Sequence, residues 1–308
     1  MHFKKITKND FDLKITLKPS VRCDQQCWFC SEYNNHEKDW TLDDMYKVID
    51  KIKELNTNQR IFIYLYGGEP LLFKNWNILI LELLKIPNIK IQIQTNLSIK
   101  LSDLKSFYEN GFDRERLEFC SSYHLGKQKV NHFLEKLKFL ESVDGLGYCF
   151  FNTDVCDESK FRREFKMVKN LIPNKLKVRF TEAQNNFPDN YPVEARQYND
   201  KNYDYVKYNN DKLFDGCLED EFTFDVNNKV KNFTEVLSSK DNAFKLWKCE
   251  CSMYNIVIDN NLKVYKCNDD YSNNHYNIDI DELNKNYFKI GYCMNKYCYD
   301  GLEFKKWK

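Results

Sequence analysis

Cys23, Cys27 and Cys30 fall in one eight-residue stretch, Cys23-Asp24-Gln25-Gln26-Cys27-Trp28-Phe29-Cys30, with the spacing C-x₃-C-x₂-C. Soft thiolates grouped this tightly suit an iron–sulfur cluster, which prefers sulfur ligands. In a cubane 4Fe–4S cluster, three local cysteines leave one iron open to a substrate or cofactor. A structural zinc site is the competing reading: it asks for a fourth ligand, which His36 could supply. Disulfides fit poorly in a chain whose N-terminus has no export signal. A second group, Cys249, Cys251, Cys267, Cys293 and Cys298, lies near the far end. Cys249-Glu250-Cys251 precedes a hairpin pattern (Asn255 to Asp259, a turn at Asn260-Asn261, Lys263 to Lys266), and Cys267 closes it. Cysteines borne on hairpins are common zinc ligands, so a zinc ribbon stays open there. Cys120, Cys149, Cys156 and Cys217 are scattered and read as small core or loop residues.

The cysteine loop follows a strand-like run from Phe11 to Lys18. Thr41-Leu42-Asp43-Asp44 reads as a capped helix start, and Leu42, Met45, Val48, Ile49, Ile52 and Leu55 then recur at helical spacing. Further strands are predicted at Ile61–Tyr66, Asn88–Thr95, Leu117–Ser122, Leu146–Asn152 and Leu176–Thr181, with helices at Trp76–Lys85, Leu101–Glu109, Gln128–Leu140 and about Ser159–Leu171. Six β-then-α units predict an α/β fold, a parallel sheet with helices outside, and in particular a partial (β/α)6 barrel. Such folds gather their sites at the carboxyl ends of the strands. The cysteine loop, Gly67-Gly68-Glu69-Pro70, Thr95-Asn96, Ser121-Ser122-Tyr123-His124, Asn152-Thr153-Asp154 and Thr181-Glu182 occupy those ends. His124 is a candidate acid–base group there. The expected organisation is a barrel over 1–184, a connector near its mouth over 185–245, and a small cysteine-rich hairpin and helix domain over 246–308.

The 308 residues are 42% hydrophobic and 16% aromatic, enough for a packed core. The net charge of +1 supplies no field favouring nucleic acid or an anionic membrane, although the lysine-rich stretch Lys127 to Lys138 keeps nucleic acid open. The greasiest run, Ile78 to Leu84, is short and broken by Glu82, so no membrane span is predicted and a cytoplasmic location is expected.

The C-x₃-C-x₂-C spacing, with aromatic Phe29 just before the last cysteine, resembles the signature of the radical S-adenosylmethionine superfamily. The resemblance implies that Cys23, Cys27 and Cys30 ligate a 4Fe–4S cluster whose open iron chelates S-adenosylmethionine. One electron then splits the cofactor into methionine and a 5′-deoxyadenosyl radical. Gly67-Gly68-Glu69 is similar to the family's GGE motif, implying that the glycines and the acid bind the methionyl ammonium; only glycine lets the backbone approach a ligand so closely. Thr95-Asn96 resembles the family's T-N-G, with Leu97 in the glycine's place. Ser122 and His124 resemble a segment whose serine contacts the ribose, and Asn152 matches a polar position near the adenosine. For Asn96 and Asn152, loop capping is the alternative.

The second cysteine group looks like the Twitch or shortened SPASM extension of that superfamily, which implies an auxiliary 4Fe–4S cluster. Either Cys249 or Cys251 would ligate it together with Cys267, Cys293 and Cys298. The family's hairpin glycine is Leu262 here, and the Asn260-Asn261 turn is expected to take up the left-handed backbone. The resemblance points to an enzyme that modifies a peptide or protein, fed by a one-electron reductant such as a flavodoxin or ferredoxin. Radical oxidation of a small molecule is the alternative. A chain beginning almost at its first strand has no room for a separate leader-binding domain, which weighs against the peptide reading. Nucleic-acid modification and a non-enzymatic electron carrier rank lower.

Overall fold

The computed structural model describes residues 2–5, 11–25, 27, 38–56, 58–153, 158–180, 223–232, 245–272, 274, 277–293 and 306–307. Phe29, Cys30, His36, Cys298 and most of the expected connector lie outside these residues.

The chain opens with β1 (His2–Lys5), which no hydrophobic pattern announces. The centre is a run of parallel strands: β2 (Leu13–Leu17), β3 (Ile61–Leu65), β4 (Ile89–Thr95), β5 (Leu117–His124), β6 (Leu146–Thr153) and β7 (Leu176–Phe180). They lie side by side in chain order, as successive β–α–β crossovers dictate. The helices between them are α1 (Leu42–Leu55), α2 (Trp76–Leu84), α3 (Leu101–Tyr108), α4 (Val130–Ser142) and α5 (Glu158–Leu171). Thr41 and Asp44 form the capping box of α1: Thr41 Oγ1 accepts from Asp44 N at 3.1 Å, and Asp44 Oδ2 from Thr41 N at 2.9 Å. One sheet face is aliphatic. Ile15, Leu17, Ile63, Leu65, Ile91 and Ile93 are buried there with the inner stripes of the helices, such as Val48 and Ile52 of α1 and Leu137 and Leu140 of α4. Each such side chain contributes about 1.5–3 kcal/mol. The other face carries Thr16, Tyr64, Gln94, Ser122 and Tyr148, polar or aromatic residues that the period-2 pleat turns away from the helices. Together these elements make the α/β, partial-barrel architecture, joined by C-terminal antiparallel strands.

Beyond the connector come β8 (Thr223–Val226), β9 (Lys229–Asn232), β10 (Lys248–Cys249), β11 (Asn255–Ile258), β12 (Lys263–Tyr265), β13 (Ile278–Asp279), β14 (Gly291–Tyr292) and β15 (Lys306–Trp307). The β11–β12 hairpin joins the barrel's own sheet. β11 pairs in parallel with β2, and β12 and β13 continue outward antiparallel, giving the order β13-β12-β11-β2-β3-β4-β5-β6-β7. All four residues of β11 are buried, so the edge of β2 is covered. A second, antiparallel sheet runs β14-β10-β15-β1-β8-β9 and gathers both chain ends. At the hairpin turn it is Leu262, φ 61°, that takes the left-handed backbone, and neither Asn260 nor Asn261 does. Leu97 likewise has φ 57°. Both leucines thus hold, at the two positions where the resembling motifs carry glycine, the conformation that glycine adopts without strain.

Candidate active site

The cysteine loop is held by backbone pairing that continues past the ends of β2 and β3. Tyr66 N donates to Leu17 O (3.0 Å), Gly68 N to Ser20 O (3.2 Å) and Glu69 N to Arg22 O (2.7 Å). The two glycines are required by this contact. A Cβ on Gly67 would stand 2.3 Å from Ser20 O, and one on Gly68 would stand 2.1 Å from Arg22 O. Gly67 also has φ 142°, a region that side chains disfavour. On these faces the room left by the missing side chains is filled by the backbone entering the cysteine loop. The Arg22 guanidinium pairs with Asp39, tying the entry of the loop to the segment before α1.

Glu69 is buried and ties three strand ends together. Its carboxylate accepts from Thr95 Oγ1 (2.6 Å), Asn96 N (2.6 Å) and Leu71 N (3.1 Å). Burial pushes its carboxyl up to about 7 against those three bonds, and nearby Asp24 adds to the rise. Asn96 Nδ2 donates to Asp24 Oδ1 (3.0 Å) and stands 3.8 Å from Cys23 Sγ. β5 runs two residues further than Ser122, its predicted end, and delivers His124 Nδ1 to 3.6 Å from Cys27 Sγ. Glu69, Asn96, His124, Cys23 and Cys27 therefore come together. Ser122 accepts from Gln94 Nε2 (2.6 Å) on the polar sheet face, and Asn152 is buried beside His124 in register.

Some contributors carry no motif. Gln94 Oε1 also accepts from Tyr64 (3.3 Å) and Tyr148 (3.4 Å), so this amide organises the polar face around Ser122. Lys18, fully buried at the end of β2, lies with Nζ 3.6 Å above the Tyr271 ring and 5.1 Å above that of Tyr66. Strand alternation marks Tyr64, Gln94, Tyr148 and Lys18 as facing away from the helices, and that is the only clue to them in the sequence.

Near the C-terminus, Cys249, Cys251 and Cys267 pack together with Cys293 against them. The Cys249 thiol is drawn down to about 6, first by a hydrogen bond from Cys251 and, against burial, by the Lys306 ammonium. Burial raises Cys251, whose sulfur lies 3.3 Å from Lys266 O. Among the described residues no group of three His, Cys, Asp or Glu side chains stands ready-made for a metal ion. The donor chemistry, buried sulfurs with a buried cation beside them, suits an iron–sulfur cluster or zinc. At the cysteine loop, sulfurs beside the Asn96 amide and the His124 ring nitrogen suit a cluster with thiolate ligands.

Among the described residues no helix is long and apolar enough to cross a membrane. In fold the chain is similar to Streptococcus suis SuiB, at 15% identity over 91% of this chain and 66% of that one, with TM-score 0.52. It is also similar to native anSMEcpe with bound AdoMet and Cp18Cys peptide, at 15% identity over 90% and 79%, with TM-score 0.53. The chain thus spans just under two thirds of the length of SuiB. No curated protein matches its sequence. Residues 17–135, which run from the end of β2 through the cysteine loop and His124 into α4, match the model of the Radical SAM superfamily.

Proposed function

We propose that this chain is a radical S-adenosylmethionine enzyme that holds a 4Fe–4S cluster on Cys23, Cys27 and Cys30, binds S-adenosylmethionine beside it, and removes a hydrogen atom from a peptide or protein substrate. The observation that carries the reading is the meeting of Cys23, Cys27, Glu69, Asn96 and His124 at adjoining strand ends. When bound, the cluster and cofactor supply a 5′-deoxyadenosyl radical by one-electron cleavage of the sulfonium; a flavodoxin or ferredoxin would be the electron donor. The chain's own residues bind and aim. Glu69 offers negative charge to the cofactor's ammonium while three donors hold its carboxylate in place. Ser122, oriented by Gln94, would contact the ribose, and Asn152 would lie near the adenosine. Cys267, Cys293 and Cys298, together with Cys249 or Cys251, would hold an auxiliary cluster.

A peptide substrate is favoured by two features. The polar sheet face presents hydroxyl and amide groups on aromatic side chains and neighbours (Tyr64, Gln94, Tyr148), which suit a peptide backbone and its side chains. A fold relative, anSMEcpe, was solved with a bound peptide. The test is anaerobic reconstitution with iron and sulfide, then dithionite and S-adenosylmethionine. Wild type is expected to release 5′-deoxyadenosine and Cys27→Ala to release at least about 100-fold less, since removal of one cluster ligand disables the site. Equal release by both would refute the assignment. Stimulation of release by a peptide pool, but by no mixture of small alcohols and sugars, would support the peptide class; the reverse would move the substrate to small molecules.

A further inference from the structure

We infer that His124, with Asn96 as its companion, donates hydrogen bonds to the cysteine-loop sulfurs and so sets the reduction potential of the cluster they hold; this rests on the reading of Cys23, Cys27 and Cys30 as its ligands.

Two nitrogen donors from two neighbouring strands reach two different sulfurs. His124 Nδ1 lies 3.6 Å from Cys27 Sγ, and Asn96 Nδ2 lies 3.8 Å from Cys23 Sγ. Both distances are within the range for a bond to sulfur, which is larger than oxygen. Which ring nitrogen of a histidine carries hydrogen depends on its partners. An iron-bound thiolate has no proton to give, so a hydrogen bond between this pair needs the hydrogen on Nδ1. The Asn96 amide is likewise fixed in direction. Its Oδ1 accepts from Ser98 N at 2.8 Å and its Nδ2 donates to Asp24 Oδ1 at 3.0 Å, so exchanging oxygen and nitrogen would lose both bonds. The second N–H of that amide is the one available to Cys23.

Both donors sit at strand ends, and strands hold a side chain more firmly than loops do. His124 is the last residue of β5, with Asn152 opposite it on β6, and Asn96 directly follows β4, its own N–H bound to Glu69. Reduction adds negative charge that is shared with the sulfurs. A donor aimed at sulfur therefore stabilises the reduced cluster more than the oxidised one and raises its potential. This gives His124 a positioning and tuning role at the metal site in place of the acid–base role suggested by its residue type.

The test is an anaerobic redox titration of reconstituted wild type, His124→Phe and His124→Asn, followed by the electron paramagnetic resonance of the reduced cluster. His124→Phe is expected to show a reduced-to-oxidised ratio about tenfold lower at the wild-type midpoint, a shift of about 59 mV downward for one electron. His124→Asn, whose amide nitrogen can stand close to the lost Nδ1, is expected to recover most of it. A loaded Phe variant with an unchanged midpoint would overturn the inference alone, as would an equal fall in both variants. If the Phe variant loads no cluster, wild type labelled with ¹⁵N-histidine decides the matter: a weak nitrogen coupling to the reduced cluster is expected, and its absence overturns the inference. Wild type that takes up zinc and no iron would overturn the cysteine-loop reading itself.

Discussion

A buried carboxylate that receives three hydrogen bonds would ordinarily be held ionised, yet at Glu69 the loss of water outweighs them and lifts the carboxyl to about 7. Two signs follow. For folding, a carboxyl raised above its usual 4.5 favours the native state most at low pH, and that contribution fades as pH rises through about 7. For binding, a cationic ligand prefers the ionised form, so its arrival expels a proton wherever the carboxyl is still protonated. Affinity for S-adenosylmethionine is therefore expected to be about tenfold weaker at pH 6 than at pH 8, and Glu69→Gln should flatten this dependence as well as weaken binding. Equilibrium dialysis across that range checks both. A pH-independent affinity in wild type would separate Glu69 from the ligand's charge.

Between elements, the decisive contact is the glycine pair against the backbone of residues 20–22. Gly68→Ala would push a methyl group into Arg22 O, and backbone cannot give way as a flexible side chain can. The β3–β4 core should survive, because the aliphatic face lies on the other side of the sheet. Iron bound per chain after reconstitution is expected to fall to less than about half, with the thermal midpoint lowered by a few degrees. Full iron content in this variant would show that the loop tolerates displacement. The barrel strands and helices were legible because their signals are local: Ile89, Ile91 and Ile93 alternate, and Val48, Ile52 and Leu55 recur at helical spacing. The Gly67-Gly68-Glu69 tripeptide and the cysteine spacing are legible in the sequence for the same reason. That β11 lies beside β2 was not, because nothing in either short apolar run names its distant partner. Nor were β1, β10, β14 and β15, which are two to four residues long and carry too few side chains to show a period. His124 was visible as a histidine at a strand end. Its approach to Cys27 depends on how far β5 extends and how the loop folds back.

Over the whole molecule, the C-terminal hairpin and the cysteine loop brace each other. Trp40, just past the loop, donates its indole N–H to Asp259 O at 2.9 Å, and Asn260 Nδ2 donates to Lys38 O at 3.0 Å. Lys18 leans on Tyr271 from the barrel side. Trp40→Phe keeps most of the buried ring but removes the donor and leaves Asp259 O one bond poorer. A loss of about 1–3 kcal/mol is expected in denaturant unfolding, along with weaker retention of iron against a chelator. Unchanged iron retention alongside that loss would mean that the hairpin supports the fold and not the loop.

The parallel seam between β11 and β2 also bears on the order of events in the cell. A growing polypeptide displays the border of β2 without a neighbour until residues 255–258 have left the ribosome, so the frame around the first cysteines is finished late. Loading of a cluster on that loop is therefore expected only once residues 255–258 are in place, and a chain truncated ahead of that seam should stay colourless after reconstitution.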